Sequence, residues 1–261
     1  MKFCPLYSGS SGNSIFISSY NAKILIDAGL SGKYIDYALE SIGERTSNVD
    51  AIFVTHEHSD HIKGVGVLSR KYNIPIYANE STWNSMKTKI GKVTDENIHI
   101  VDQNSIVIKD LKIDSYNISH DAACPIGYSV SEGNKKVCIT TDLGYFSEEV
   151  QNATCDADLI LLESNHNVEM LKFGPYPYVL KKRILSEIGH LSNEACGEAI
   201  LSIMKTKSKR IVLGHLSKTN NYPELAYKTV ENILKENGVS IGQDVLLSVA
   251  KRDMPSEIIS I

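Results

Sequence analysis

Four candidate metal ligands, His56, His58, Asp60 and His61, lie within the six-residue segment HEHSDH, at residues 56–61. Imidazole and carboxylate groups suit Zn²⁺ and similar ions. Alternate residues of an extended loop point the same way, so His56 and His58 can reach one ion and leave Asp60 and His61 for a second. An ordinary polar loop would not concentrate ligands in this way, because the whole chain has 8 histidines in 261 residues. The segment therefore predicts a metal site.

Three further candidate ligands each follow a predicted strand. They are His120 after Leu111–Ser119, Asp142 after Lys136–Thr141, and His215 after Arg210–Gly214. A single His or Asp at such a position is usually a cap or a turn residue. Several strand ends with ligand chemistry are instead expected where rigid strands bring distant residues together. We therefore expect these three residues and segment 56–61 to form one metal centre.

Short apolar runs alternate with amphipathic segments along the chain. Runs rich in Ile, Val and Phe predict strands at Ile15–Ser18, Lys23–Asp27, Ala51–Thr55, Ile74–Ala78, Leu111–Ser119, Gly127–Ser131, Lys136–Thr141, Leu159–Glu163, Arg210–Gly214 and Asp244–Val249. Apolar residues at helical spacing predict helices at Lys33–Ile42, Val179–Ile188, Glu194–Met204 and Glu224–Glu236. Many strands with interspersed helices favour two sheets sandwiched by helices over a doubly wound single sheet.

The composition limits the class of protein. With 42% hydrophobic and 22% charged residues, the chain can bury a core without cross-links, and without a linker or repeat we expect residues 1–261 to form one domain. Five scattered cysteines without a CxxC pair, no signal peptide and no membrane span predict a cytoplasmic protein. The net charge of −4 argues against a protein that coats nucleic acid by bulk electrostatics. It does not exclude a nuclease, because bound metal ions supply positive charge.

The ordered motifs resemble those of the metallo-β-lactamase family from end to end. They are Asp27 in KILIDAG, the segment HEHSDH, His120, Asp142 and His215. The resemblance implies an α/β (α+β) fold, the metallo-β-lactamase αββα sandwich, in which two mixed β-sheets are flanked by helices and the metals lie at one edge. A narrower set, SGSSGNS, HEHSDHIKG, ISHDA, TDLG, ESNH, GPYPY, GHLSN and LGHLS, resembles the bacterial WalJ/YycJ group. That resemblance implies a metal-dependent exonuclease that acts on DNA ends in the 5′-to-3′ direction.

The family resemblance also implies a ligand assignment with two divalent metal ions, Zn²⁺ or Mn²⁺. It places His56, His58 and His120 on the first ion, Asp60, His61 and His215 on the second, and Asp142 between them. Asp27 is expected to orient ligands from behind; the alternative is an Asp that merely ends a strand.

Three residues are the catalytic candidates: Asp60, Glu163 and His190. The order of GHLS at residues 189–192 before a helix, with His215 later, resembles the tRNA-maturation nucleases of this fold, in which such a His and a Glu transfer a proton. We expect a metal-bridging hydroxide to attack the phosphodiester, while Glu163 orients His190 and His190 protonates the leaving oxygen. The alternative is that His190 is only a polar residue at the start of a helix.

Other residues are candidates for substrate binding. Ser10, Ser11 and Asn13, in the loop SGSSGNS, could cradle a phosphate, or the loop could be a plain tight turn. His166 could line the pocket or open a helix, and Tyr176 could stack on a base or pack internally. Basic residues that could follow a nucleic-acid backbone, or simply be solvated, are Lys181, Lys182, Arg183, Lys205, Lys207, Lys209 and Arg210.

Two other functions remain open. The first is a small-molecule hydrolase of the same fold, acting on a thioester, an ester or a cyclic phosphodiester, because a fold does not fix its substrate. A closed small pocket favours this function, and an open groove with basic flanks favours a polymer. The second is a non-catalytic regulatory module, which the complete set of candidate ligands disfavours.

Overall fold

Two mixed seven-stranded β-sheets form the centre of the computed structural model, which describes residues 1–102, 104–204 and 208–261. The first sheet contains β1 (Lys2–Tyr7), β2 (Ser14–Ser18), β3 (Lys23–Ile26), β4 (Ala51–Phe53), β5 (Ile76–Ala78), β6 (Ile98–Ile100) and β14 (Ile259–Ser260). The second contains β7 (Ile106–Ile108), β8 (Leu111–Asn117), β9 (Ile126–Glu132), β10 (Lys135–Thr140), β11 (Leu159–Glu163), β12 (Lys209–Gly214) and β13 (Val245–Val249). The spatial orders are β14-β1-β2-β3-β4-β5-β6 and β13-β12-β11-β10-β9-β8-β7.

Helices cover the outer face of each sheet. They are α1 (Gly32–Ser41), α2 (Ser59–Ile62), α3 (Val65–Tyr72), α4 (Glu80–Met86), α5 (Glu148–Thr154), α6 (Val168–Phe173), α7 (Tyr178–Ile184), α8 (Asn193–Ile203) and α9 (Pro223–Glu236). One apolar cluster joins α1, α3 and α4 to the first sheet, and another joins α5, α8 and α9 to the second. None of the helices in the described ranges is both long and apolar enough to span a membrane.

A third apolar cluster lies between the two sheets and completes the sandwich. It includes Phe3, Phe53, Tyr128 and Leu161. Strand β11 is buried along its whole length, because Leu161 faces the other sheet while its neighbours face the helices. Central parallel strands that are covered on both faces have continuous apolar runs in their sequences. The αββα sandwich predicted from the sequence is confirmed.

Parallel strands bring the polar residues that follow them to one edge of the sandwich. Strands β10 to β13 are parallel, and so are β3 to β6. Asp27 directly follows β3, and His215 directly follows β12. Asp142 lies in the loop that follows β10. The φ angles of Asp27, Asp142 and His215 are 60°, 61° and 54°. A positive φ is uncommon for residues with a side chain and is often found at functional sites.

Most predicted elements are present with bounds within two residues of the prediction, but one predicted helix differs at its end, and β1, β6, β7, β14 and the helices α2 to α6 were not predicted. The predicted helix Val179–Ile188 is wrong at its end, because α7 stops at Ile184 and the chain turns so that the His190 N–H donates to the Ile184 carbonyl (3.0 Å). Strand β1 was not predicted, since Pro5 lacks an N–H and is unfavourable in a strand. Pro5 is tolerated because the pairing of β1 with β2 is irregular between Pro5 and Tyr7.

Candidate metal centre

The polar residues at this edge form overlapping groups whose candidate ligand atoms lie within 4.8 Å of one another. Among the described residues, the groups are His56, His58 and His120; His56, His61 and Asp142; Asp60, His61 and His215; and Asp142, Glu163, His190 and His215. Every residue predicted from the sequence as a metal ligand belongs to at least one group. Their roles as ligands stay a prediction.

The segment 56–61 consists of an extended part followed by a helical turn. It leaves β4 as extended chain, since the Val54 N–H donates to the Tyr77 carbonyl (2.8 Å) and the Ile126 N–H donates to the Thr55 carbonyl (3.2 Å). The single turn of α2 then begins, and the His61 N–H donates to the His58 carbonyl (3.0 Å). The extended part supplies His56 and His58 and the helical turn supplies the remaining two candidates.

In four of these histidines, Nδ1 of the ring lies within hydrogen-bond distance of another protein atom. The Nδ1 contacts are His56 to Thr55 Oγ1 (3.0 Å), His61 to Asp27 Oδ2 (2.8 Å), His120 to the Gly189 carbonyl (3.1 Å) and His215 to Glu163 Oε1 (2.7 Å). A hydrogen bond at one nitrogen fixes the tautomer and the ring orientation and leaves the other nitrogen for a metal. In each of these rings, Nε2 is the nitrogen left to face the centre.

Asp27 connects two parts of the ligand segment. Its Oδ1 accepts the Thr55 N–H (2.8 Å), and its Oδ2 accepts both the Thr55 hydroxyl (2.8 Å) and Nδ1 of His61 (2.8 Å). Asp27 is buried, so water does not compete for these bonds. The geometry is that of a residue that orients His61 and fixes the chain just before His56.

Asp142 lies between the two predicted ligand triads. Its Oδ1 is 3.9 Å from His120 Nε2, and its Oδ2 is 3.2 Å from His61 Nε2. Burial would raise the pKa of Asp142, but the neighbouring imidazoles, His215 and His61 above all, hold it well below its usual range. The carboxylate is therefore ionised and has an oxygen on the side of each triad.

The buried nitrogens of this centre fit a cation. Within the described residues, Nε2 of His56 and Nε2 of His215 are buried and have no hydrogen-bond partner. Leaving a buried polar atom unpaired costs about 1–3 kcal/mol, and a divalent ion would accept the lone pair of each nitrogen. Burial, reinforced by the imidazole of His61, lowers the pKa of His56 well below its usual range, so His56 has the neutral form that binds metal.

Glu163 joins the centre to His190. Its Oε1 accepts Nδ1 of His190 (2.9 Å) and Nδ1 of His215 (2.7 Å), and its Oε2 accepts the backbone N–H of Leu143 (2.9 Å) and of Leu191 (3.2 Å). Burial would raise the pKa of Glu163, but the charges and hydrogen bonds of His190 and His215 lower it to about 2. The His190 side chain is 18% exposed, against 1% for His215. His190 is therefore the histidine of this pair that a substrate can reach.

The residues of the loop predicted to bind substrate differ in their surroundings. Asn13 is buried; its Oδ1 accepts the Gly9 N–H (3.0 Å), and its Nδ2 donates to Asp60 Oδ2 (3.4 Å) and lies 3.0 Å from His61 Nε2. Ser10 and Ser11 are exposed at the tip of the loop. The structure thus gives Asn13 contacts with two candidate ligands and leaves the two serines open to a substrate.

The other two predicted substrate contacts, His166 and Tyr176, differ in their surroundings. His166 is buried, with Nδ1 3.3 Å from Asn165 Oδ1, and its Nε2 has no hydrogen-bond partner among the described residues. Burial lowers its pKa to about 4, so the ring is neutral. Tyr176 is half-buried in the turn between α6 and α7. Both contacts stay predictions.

The predicted basic residues do not gather around the centre as one group. Lys205 and Lys207 lie outside the described residues, and Lys209 is buried at the start of β12, the opposite end of this strand from His215. Arg183 forms an ion pair with Asp121. Oδ1 of Asp121 is 3.4 Å from Nε2 of His120, so Arg183 lies beside the centre.

Three residues with clear roles at the centre were not predicted from the sequence. Thr55 bridges Asp27 and His56, Ser8 accepts the His215 N–H at Oγ (2.9 Å), and Arg252 donates to the Leu216 carbonyl (2.6 Å). Thr55 and Ser8 flank recognised motifs, so their positions could have indicated a supporting role. Nothing in the sequence around Arg252 points to the centre.

Known proteins resemble the chain in both sequence and fold. A beta-lactamase superfamily domain matches residues 22–216. The chain is 40% identical over 259 residues to exodeoxyribonuclease YycJ of Bacillus anthracis (99% of this chain and 98% of that protein) and 45% identical over 246 residues to exodeoxyribonuclease WalJ of Streptococcus pneumoniae D39 (93% and 91%). The metallo-beta-lactamase fold protein YhfI of Bacillus subtilis superposes with a TM-score of 0.70 at 15% identity, over 98% of this chain and 100% of that one.

The chain belongs to the beta-lactamase superfamily and, within it, to the family of the WalJ and YycJ exodeoxyribonucleases. The resemblance predicted from the motifs is thereby confirmed. The superfamily implies divalent metal ions, and the overlapping groups of histidine and carboxylate side chains fit such ions.

Proposed function

We propose that the chain is a metal-dependent exonuclease that degrades DNA from its ends in the 5′-to-3′ direction. The observation that carries the proposal is the set of overlapping ligand groups in a chain that is 40–45% identical to named exodeoxyribonucleases over most of its length. DNA ends are then the nucleic-acid partner, and residues 1–261 act as one domain. A cytoplasmic location is also part of the proposal; Cys4, Cys124, Cys138 and Cys196 are free thiols, as expected in a reducing compartment.

We assign two ions, Zn²⁺ or Mn²⁺, to the centre. His56, His58 and His120 would hold the first, Asp60, His61 and His215 the second, and Asp142 would contribute an oxygen to each. When bound, such a pair of ions activates a water and stabilises the charge that develops on a phosphodiester. Asp60 contributes to catalysis as a ligand of the second ion.

The chain's own residues then position the substrate and move a proton. Nδ1 of His190 donates to Glu163 Oε1 (2.9 Å), which holds the ring in place. Nε2 of His190 can then give a proton to the leaving oxygen, a step that general acids accelerate by about 10²–10⁴-fold. In this proposal Ser10 and Ser11 contact a phosphate, and His166 and Tyr176 contact a nucleoside.

The test is digestion of end-labelled single- and double-stranded DNA and RNA with added Mn²⁺ or Zn²⁺, beside a His58→Ala variant. We expect stepwise shortening of DNA that requires the metal and is lost in the variant while its circular dichroism is unchanged. Cleavage of a small thioester or phosphodiester, with no cleavage of any polymer, would reject the proposal in favour of the small-molecule hydrolase. Unchanged DNA cleavage by His58→Ala would reject the assigned centre.

A further inference from the structure

A pocket of about 420 Å³ opens beside Asp60. It is lined by Ser10, Ser11, Gly29, Ser59, Asp60, Ile62, Lys63 and Lys89. Its volume lies within the range of sites that bind small molecules or parts of larger ones. Because Asp60 belongs both to this pocket and to the group with His61 and His215, whatever occupies the pocket lies next to the metal centre.

Two ammonium groups line the pocket. Lys63 is exposed, and in the described ranges its ammonium group makes no hydrogen bond or ion pair. Lys89 donates one hydrogen bond to the Glu57 carbonyl (3.2 Å), and its ammonium has two further N–H groups. In a chain of net charge −4, two lysines beside an acidic metal centre create a local preference for an anion.

The loop SGSSGNS supplies two hydroxyl groups of the lining. Nη2 of Arg252 donates to Oγ of Ser10 (3.3 Å) and to Oγ of Ser11 (3.3 Å). Neither hydroxyl donates a hydrogen bond to another described residue, so each hydrogen is available to an acceptor in the pocket. Arg252 thus orients both serines as donors and adds a positive charge behind them.

We propose that this pocket binds a phosphate group of the DNA strand, adjacent to the phosphodiester that is cleaved. The inference deepens the proposed nuclease function and rests on it. Lysine ammonium groups and hydroxyl donors are the groups that proteins use to bind DNA phosphates, and both kinds line this pocket together with Asp60. The phosphate could be an internal one or a 5′-terminal monophosphate, and both have the same chemistry.

The experiment measures kcat and KM for single-stranded DNA at 50–200 mM salt with wild-type protein, Lys63→Ala, Lys89→Ala and the double variant. Each lysine that contacts a phosphate contributes about 0.7 to the dependence of log affinity on log salt concentration. We expect each substitution to raise KM more than it lowers kcat and to reduce the salt slope by about this amount. Lys63→Arg should restore the slope.

The matched control is Lys2→Ala, because Lys2 is exposed at the start of β1, the end of this strand that is remote from Ser10. A double variant with the same KM and salt slope as Lys2→Ala, in a wild-type protein that degrades DNA, would overturn the phosphate site and leave the nuclease function intact. Wild-type protein that degrades no DNA would overturn both.

Oligonucleotides with a 5′-phosphate and with a 5′-hydroxyl separate the two sources of phosphate. A loss of affinity confined to the 5′-phosphorylated strand would place the terminal phosphate in the pocket. An equal loss on both strands would place an internal phosphate there.

Discussion

His190 and His215 are linked through one atom, Oε1 of Glu163, which accepts Nδ1 of the first at 2.9 Å and Nδ1 of the second at 2.7 Å. The link places the proposed acid and a proposed metal ligand on the same carboxylate. The other oxygen of this carboxylate accepts two backbone N–H groups, so Glu163 cannot turn to favour one histidine. The metal centre and the proton donor are therefore positioned by a single side chain.

Substitutions of Glu163 and His190 should have different effects. His190→Ala removes only the proton donor, so kcat should fall about 10²–10⁴-fold with metal content unchanged. Glu163→Gln should lower kcat and also weaken metal binding about 10–100-fold, because His215 loses its charged partner. Kinetics on DNA and metal analysis of the purified variants distinguish the two. Equal loss of metal in both variants would contradict the assignment of His190.

Asp27→Asn should weaken metal binding about 10–100-fold. The amide oxygen can replace only one of the two carboxylate oxygens as an acceptor. The NH₂ group at the other position accepts no hydrogen bond, so Thr55 or the Nδ1–H of His61, which Oδ2 now accepts, loses its partner. Metal affinity measured by competition with a chromogenic chelator checks this result. Asp110→Asn is the control, since Asp110 also accepts side-chain hydrogen bonds, from Ser19 and Asn21, but in a different part of the sandwich. Equal affinities of the two variants would show that Asp27 does not orient the centre.

The sequence predicts the centre well because the ligands follow strands. Apolar runs such as β11 and β12 can be recognised without a structure, and parallel strands must end at a common edge. Glu163 and His215 are the residues at the ends of these two strands, which pair directly, and their proximity is thus a consequence of the predicted topology. The same argument covers Asp142 after β10.

Contacts that depend on distant loops could not be predicted in this way. Arg252 contacts Ser10 and Ser11 although more than 240 residues separate them in the sequence. Neither hydrophobic periodicity nor a motif predicts this contact. Lys63 and Lys89 meet at one pocket because α2 and the segment after α4 are neighbours in space. Such residues are ordinary surface lysines by sequence alone.

Gly29→Ala should destabilise the protein and reduce its metal content. A Cβ atom at this position would lie 1.6 Å from the Asp60 carbonyl oxygen and 2.6 Å from the Asn13 nitrogen, and backbone atoms cannot move aside as a flexible side chain does. Overpacking costs about 1–3 kcal/mol and sometimes more, and any relief must displace Asp60. Gly133→Ala is the control: its φ is +58° with nothing within 4 Å of the added Cβ, so it should cost about 1–2 kcal/mol without loss of metal. Wild-type metal content in Gly29→Ala would disprove this close packing.

Removal of metal should lower the melting temperature. Ions that bind only the folded state stabilise it by about 2.7 kcal/mol at a concentration 100 times the dissociation constant, and for a chain of this size about 1 kcal/mol shifts the melting temperature by roughly 2–4 °C. A chelator should therefore lower the melting temperature of the metal-loaded protein by about 5–10 °C for each ion bound, as measured by scanning fluorimetry. His58→Ala removes a residue of the first triad only, so it should keep part of this shift, whereas a variant that lacks both His58 and His215 should lose it. Complete loss of the shift in His58→Ala would show that the two triads do not bind ions independently.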